Sequence, residues 1–131
     1  MAVEVTFPGG KRVDAKVGGF TVSADKSVEE GGAGGAPSPF DLFLASLATC
    51  AGMNVVYFFG HRKLSPKDVK MVVHVDYDDE GYMAKKITTE VILPADFPEE
   101  YRERLVRAVD ACYVKKHVLN APEFVTTLTP K

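Results

Sequence analysis

Apolar and polar residues alternate over positions 3–7, 12–17 and 20–23, and the interruptions between them are Pro8-Gly9-Gly10 and Gly18-Gly19. A period of two marks half-buried strands, and glycine supplies the backbone freedom a tight reversal needs. These segments predict an antiparallel meander of three short strands. Residues 29–36, with Gly31-Gly32-Ala33-Gly34-Gly35 at their centre, carry too little side chain to pack and predict a flexible connecting loop. No Gly-Lys-Ser/Thr follows the glycines, and Gly-x-Gly-x-x-Gly spacing is missing, so a phosphate loop is not indicated.

The pattern then changes. Ser38 is a favourable N-cap, Pro39 suits the first helical position, and Asp41 stands three residues after the cap near the positive helix end. The run 42–60 has no charge at all, which predicts a helix apolar on every side, ended by Gly60 and the basic His61-Arg62-Lys63. Residues 69–77 and 82–93 predict a long hairpin about Asp78-Asp79-Glu80-Gly81. Asp96, Pro98 and Glu99-Glu100 open a second, amphipathic helix, in which Tyr101, Leu105, Ala108, Val109 and Cys112 recur at helical spacing. This helix runs on to Lys115-Lys116-His117 and stops at Asn120 and Pro122, and residues 124–128 predict a last strand. The order is three strands, a buried helix, two strands, a helix and a strand. That is an α+β class with antiparallel sheets around a central helix.

The 131 residues suffice for one domain with its own core, expected to span 1–131. With 16 basic against 18 acidic side chains and a net charge of -2, nothing favours nucleic acid or anionic lipid as a partner. The uncharged run approaches membrane-span length, but Ser46, Thr49 and Asn54 lie within it and strands flank it on both sides. Complete burial in a protein is the better explanation, and in so small a domain it calls for a second subunit. The N-terminus alternates like a strand rather than a leader, so a cytoplasmic location is expected, where a permanent disulfide is disfavoured and a transient one is not.

Cys50 and Cys112 are the only cysteines, and both fall in apolar helical patterns. Neither their spacing nor that of His61, His74 and His117 matches a metal site, and no metal or cofactor is expected. Two readings of the thiols stand: small, soft core residues, or a sheltered redox pair. The histidines have plain readings, His74 as a solvent-facing strand residue and His61 and His117 at helix C-termini. Phe43, Leu47, Met53, Asn54 and Tyr57 share the helix face of Cys50, as core or as the lining of a pocket.

The stretch Pro37-Ser38-Pro39-Phe40-Asp41-Leu42-Phe43-Leu44-Ala45-Ser46-Leu47-Ala48-Thr49-Cys50, with its preceding glycine-rich loop, resembles the first-cysteine helix of the OsmC/Ohr family, the osmotically induced and organic-hydroperoxide-resistance proteins. Ala111-Cys112-Tyr113-Val114-Lys115-Lys116 followed by Pro122-Glu123-Phe124 is similar to the family's second-cysteine segment, although proline usually stands where Tyr113 does. The resemblance implies an intertwined homodimer and a thiol-dependent peroxidase acting on organic hydroperoxides and, less well, on hydrogen peroxide. By position, Cys50 would be the peroxidatic thiolate and Cys112 the resolving thiol, passing through a sulfenic acid and a Cys50–Cys112 disulfide. A lipoylated protein or small thiol would be the dithiol reductant.

Cys50 lies about three turns into its helix, beyond the reach of that helix's N-terminal dipole, so its thiolate needs another source of positive potential. In one branch of the family an arginine from the N-terminal strands provides it, positioned by a glutamate near the start of the first helix. Arg12 corresponds best, with Lys11 and Lys16 as alternatives. Phe40 stands where the glutamate would, and Asp41 is the next residue; at about 100° per residue Asp41 and Cys50 face opposite ways. Should the thiols prove inert, the same fold would suit a binding protein for an apolar small molecule at the dimer interface.

Overall fold

The computed structural model describes residues 1–130. The chain resolves into two compact units, Met1–Ala45 and Ser46–Lys131.

In the first unit, β1 (Val3–Gly9), β2 (Arg12–Val17) and β3 (Phe20–Ala24) form the expected antiparallel meander in the order β1-β2-β3. Gly10 (φ 58°) and Gly18 (φ 59°) occupy left-handed conformations at the two reversals, where a side chain would be strained. The register sets Asp14 opposite Ser23, and Arg12 shares the Asp14 face because side chains two apart on a strand point the same way.

The glycine-rich connection has more structure than its composition suggests. Ser27 caps a single 3₁₀ turn at Val28–Glu30. The Asp25 carboxylate accepts the N–H groups of Lys26 (2.7 Å) and Gly35 (3.1 Å), while its own N–H reaches the Pro37 carbonyl (3.1 Å). The loop does close on an anion, the chain's own buried Asp25, with Gly35 the glycine that donates to it. A Cβ on Gly32 would overlap the Lys26 carbonyl oxygen, so only glycine lets the loop close this tightly.

Helix α1 (Pro39–His61) starts in the first unit and runs into the second. Its start is a reciprocal capping box: Ser38 Oγ accepts the Asp41 N–H (3.1 Å) and the Asp41 carboxylate accepts the Ser38 N–H (3.2 Å). At the other end the helix passes straight through Gly60, and Lys63 rather than a glycine adopts the left-handed conformation (φ 55°). The Leu64 N–H closes back on the Phe59 carbonyl (2.9 Å), and Arg62 donates to the Phe58 carbonyl (3.2 Å) while its guanidinium lies 3.6 Å from the Phe58 ring centre.

The second unit holds the core. Ala51, Val55, Phe58 and Phe59 of α1 pack with Phe97, Leu105 and Val109, and Phe59, 2% exposed, stacks on Phe97 at 5.5 Å. Burying one such ring contributes roughly 1.5–3 kcal/mol. The hairpin of β4 (Lys70–Tyr77) and β5 (Ala84–Ile92) covers this core with Met71 and Val91. Its reversal is fixed by Asp78, whose carboxylate accepts the N–H groups of Tyr82 and Met83. Within the single chain α1 is buried on one face, and Met53, Val56 and Tyr57 are exposed, in keeping with the expectation that one small domain cannot cover it on every side.

Two elements differ further from the sequence reading. The expected second helix is two: after a 3₁₀ turn at Glu99–Tyr101, α2 covers Arg102–Asp110 and α3 covers Tyr113–Leu119. The break comes at Cys112, whose backbone is extended (φ -75°, ψ 122°). The strand expected at 124–128 is not formed, and Phe124 (85% exposed), Val125 and Leu128 face solvent. A strand needs a neighbouring strand to take up its N–H and C=O groups, and this segment has none among the described residues of its own chain.

Candidate functional site: a thiol pair at a helix start

The two cysteines, far apart in sequence, meet inside the second unit. Leu105, Val109 and Cys112 are all buried, so the apolar spacing that suggested a continuous helix does describe which residues turn inward. Cys112 nevertheless works as the N-cap of α3: its Sγ accepts the Lys115 N–H at 3.3 Å. Cys50, half-buried in the middle of α1, is near enough to Cys112 for each thiol to act on the other's ionisation.

This arrangement pushes the two thiols in opposite directions. Cys50 is lowered from its ordinary value, chiefly because the Val114 N–H donates to its sulfur; burial opposes this, and the Cys112 thiol and the Tyr113 N–H add further donation. Cys112 is raised, first by burial; the Lys115 N–H at its sulfur opposes this, and the neighbouring Cys50 sulfur, beside which a second negative charge is unfavourable, adds to it. Of the two, Cys50 is therefore the more acidic thiol and Cys112 the less acidic.

The positive potential at Cys50 thus includes backbone amides at the start of α3, a source that no side-chain pattern in α1 could reveal. The usual proline at position 113 would have no N–H to give. Tyr113 has one, and it is the smallest of the contributions that favour the Cys50 thiolate. The departure from the family's pattern changes the electrostatics of the site rather than merely its shape.

The remaining predicted residues lie in the first unit, where each has local partners. Arg12 donates from Nε to Asp14 (3.0 Å) and from Nη2 to Ser23 Oγ (2.9 Å). The Ser23 hydroxyl and Arg12 hold the Asp14 carboxyl below its ordinary range, in that order of effect. Asp25 is also lowered, by the N–H groups of Gly35, Lys26 and Ala33 and by the charge of Arg12. Arg12 is therefore matched by Asp14 and Asp25 rather than by a carboxylate from α1, and it borders a cavity of about 660 Å³ with Lys11 and the glycine loop. Asp41 uses its carboxylate in the α1 cap. Asp14 and Asp25 were not anticipated; for Asp25 the signal was its place two residues before Ser27 and just ahead of the glycine run.

Among the residues sharing the Cys50 face of α1, Asn54 and Tyr57 line a shallow groove of about 280 Å³ with His61, Arg62, Ala108 and Ala111. His74 is exposed on β4 and pairs with Glu90 (2.9 Å), and His117 donates from Nδ1 to the Tyr113 carbonyl (2.8 Å).

Two small antiparallel sheets, three helices and a thiol pair of unequal acidity define an α+β dithiol protein. Sequence comparison carries this further: the OsmC-like protein model matches residues 31–127, most of the chain, so this chain belongs to the OsmC-like family. Curated proteins give no match. Among solved structures, the chain is similar to one from Psychrobacter arcticus 273-4 ascribed to the osmotic stress induced and detoxification response, with 19% identity, a TM-score of 0.74, and 88% of this chain and 86% of that chain covered. It is also similar to an OsmC-like protein from Mycoplasma pneumoniae, at 13% identity and a TM-score of 0.70, with 92% and 87% covered. A third, from Legionella pneumophila, is an organic hydroperoxide resistance protein OsmC, with 22% identity, a TM-score of 0.54, and 90% and 89% covered. At these identities the likeness shows a shared fold.

Proposed function

We propose that this protein is a thiol-dependent peroxidase that reduces organic hydroperoxides and, less well, hydrogen peroxide. The observation that carries the proposal is that the fold brings Cys50 and Cys112 together, with the Val114 and Tyr113 amides favouring the Cys50 thiolate. In the first step the Cys50 thiolate attacks one peroxide oxygen; the S–O bond forms, the O–O bond breaks, and the alkoxide leaves as alcohol after taking up a proton. Cys112 loses its proton and attacks the sulfenic sulfur, the S–S bond forms, and the oxygen departs as water. A dithiol, either a lipoylated protein or a small thiol, then returns the two electrons by exchange. The two cysteines supply both electrons of the peroxide reduction, so the cycle calls for no prosthetic group.

Arg12 is the candidate side-chain cation for Cys50, and Asp14 and Ser23 fix its head group; Asp41 acts through the start of α1. The working form is a cytoplasmic homodimer of single-domain chains. That form is supported by the apolar residues left exposed on α1 and at 124–128, which a second copy would cover. Mass spectrometry tests the thiol chemistry directly. One equivalent of cumene hydroperoxide should convert the reduced protein to a species two hydrogens lighter, with Cys50 and Cys112 in one disulfide-linked peptide; two unmodified thiols would contradict the proposal.

A further inference from the structure

We propose that Asn54 is a positioning residue for the thiol pair, holding the turn that carries Cys112 against the helix that carries Cys50. The inference rests on the proposed dithiol chemistry and names a residue on which that chemistry depends. Asn54 lies four residues, about one turn, after Cys50 and therefore on the same side of α1. Its Nδ2 donates both hydrogens across to the other segment, one to the Ala108 carbonyl (2.9 Å) and one to the Ala111 carbonyl (3.1 Å).

Those acceptors have a definite place in the chain. Ala108 is in the last turn of α2, Ala111 is its C-cap, and Cys112 follows immediately as the N-cap of α3. The last carbonyls of a helix lack the regular intrahelical donor, and here the Ala108 carbonyl takes only the long, shared Ala111 N–H (3.3 Å), so the end of α2 keeps acceptor capacity at the very point where the chain must stop and present Cys112. An amide satisfies two of them at once. Because both partners are acceptors, the nitrogen end of Asn54 has to face them, and no residue of the same shape lacking two N–H hydrogens can substitute.

In the reduced protein, Asn54 ties the break between α2 and α3 to α1 one turn beyond Cys50. Without it the turn spends most of its time with Cys112 away from Cys50, and the apparent constant for closing the disulfide falls in proportion to the fraction of time the pair is together. Two hydrogen bonds of ordinary strength are enough to lower that fraction about tenfold.

The test is the thiol–disulfide equilibrium of the folded protein in glutathione buffers, in which protein dithiol and glutathione disulfide exchange with protein disulfide and two reduced glutathiones. Asn54→Asp keeps the shape and loses both donors, and Asn54→Leu replaces the amide with an apolar group of similar size. Far-UV circular dichroism establishes that each is folded, and should neither fold, Asn54→Ser, which keeps one donor, gives the comparison with a smaller shift in the same direction. The expected result is an equilibrium constant about tenfold or more further toward the dithiol than in the wild type. A residue that only stabilised the fold would lower the urea midpoint and leave this constant where it was, and that result would overturn the inference. If the wild type itself forms no Cys50–Cys112 disulfide at any glutathione ratio, the peroxidase proposal fails and the inference fails with it; a normal wild-type disulfide with unshifted variants removes Asn54 alone.

Discussion

Cys112 caps α3 with its sulfur, which accepts the Lys115 N–H at 3.3 Å, and from that place it and Cys50 bias each other's ionisation in opposite directions. Helix start and thiol pair are the same few atoms. The amides of Tyr113 and Val114, which follow the cap, are thereby brought to the Cys50 sulfur.

The order of ionisation follows from this. Cys50 is lowered and Cys112 raised, so as pH increases Cys50 loses its proton first and its reactivity levels off below the ordinary thiol range, whereas Cys112 responds only at higher pH. Alkylation by iodoacetamide as a function of pH, with the modified peptides resolved by mass, should show two separated titrations with Cys50 the more acidic. Coincident titrations, or Cys112 leading, would contradict the assignment.

Replacing Cys112 by serine separates its two roles. Serine is a stronger N-cap than cysteine, so α3 should survive, but no sulfur remains to capture the sulfenic acid. The variant should complete one turnover and then accumulate sulfinic or sulfonic acid at Cys50, read as additions of two or three oxygens by mass. Sustained turnover with an unoxidised Cys50 would show that Cys112 does not resolve the intermediate.

Parts of this were legible in the sequence and parts were not, for physical reasons. Ser38 with Asp41 is a local signal, since a capping box is made within four residues, and it marked the start of α1 to the residue. The strand segments and the reversals at Gly18 and Asp78 were legible for the same reason. The break at Cys112 was hidden because Leu105, Val109 and Cys112 keep helical spacing across it, and because cysteine followed by lysine at the third position is no capping signature. The amide donors at Cys50 belong to the backbone and leave no mark in side-chain patterning. Phe124 and Val125 have strand character, but pairing is not a local property and their own chain offers no partner.

The Asp25 loop gives a stability prediction of definite sign. Its folded pKa is depressed below the ordinary 3.8, so its contribution is fully present above that value and is lost as pH falls through the folded pKa. The urea midpoint of the wild type should fall more steeply from about pH 6 to about pH 3 than that of Asp25→Asn, which has no carboxylate to protonate. Parallel slopes would remove the carboxylate from this role.

The same loop predicts the effect of a single methyl group. In Gly32→Ala the added Cβ meets the Lys26 carbonyl oxygen and comes within 2.8 Å of Asp25 Oδ1, neither of which can withdraw without breaking the loop's hydrogen bonds. Destabilisation on the order of 1–3 kcal/mol is expected from overpacking of this kind. Denaturant unfolding measures it, and a neutral substitution would show that the loop is not held as described.

Peroxidase chemistry at Cys50 is tested most directly by consumption of an organic hydroperoxide by the reduced protein with excess dithiol, run beside Cys50→Ser. Turnover by the wild type that disappears in the variant is the predicted result. Equal consumption by both proteins, or none by the wild type with any dithiol supplied, would contradict it.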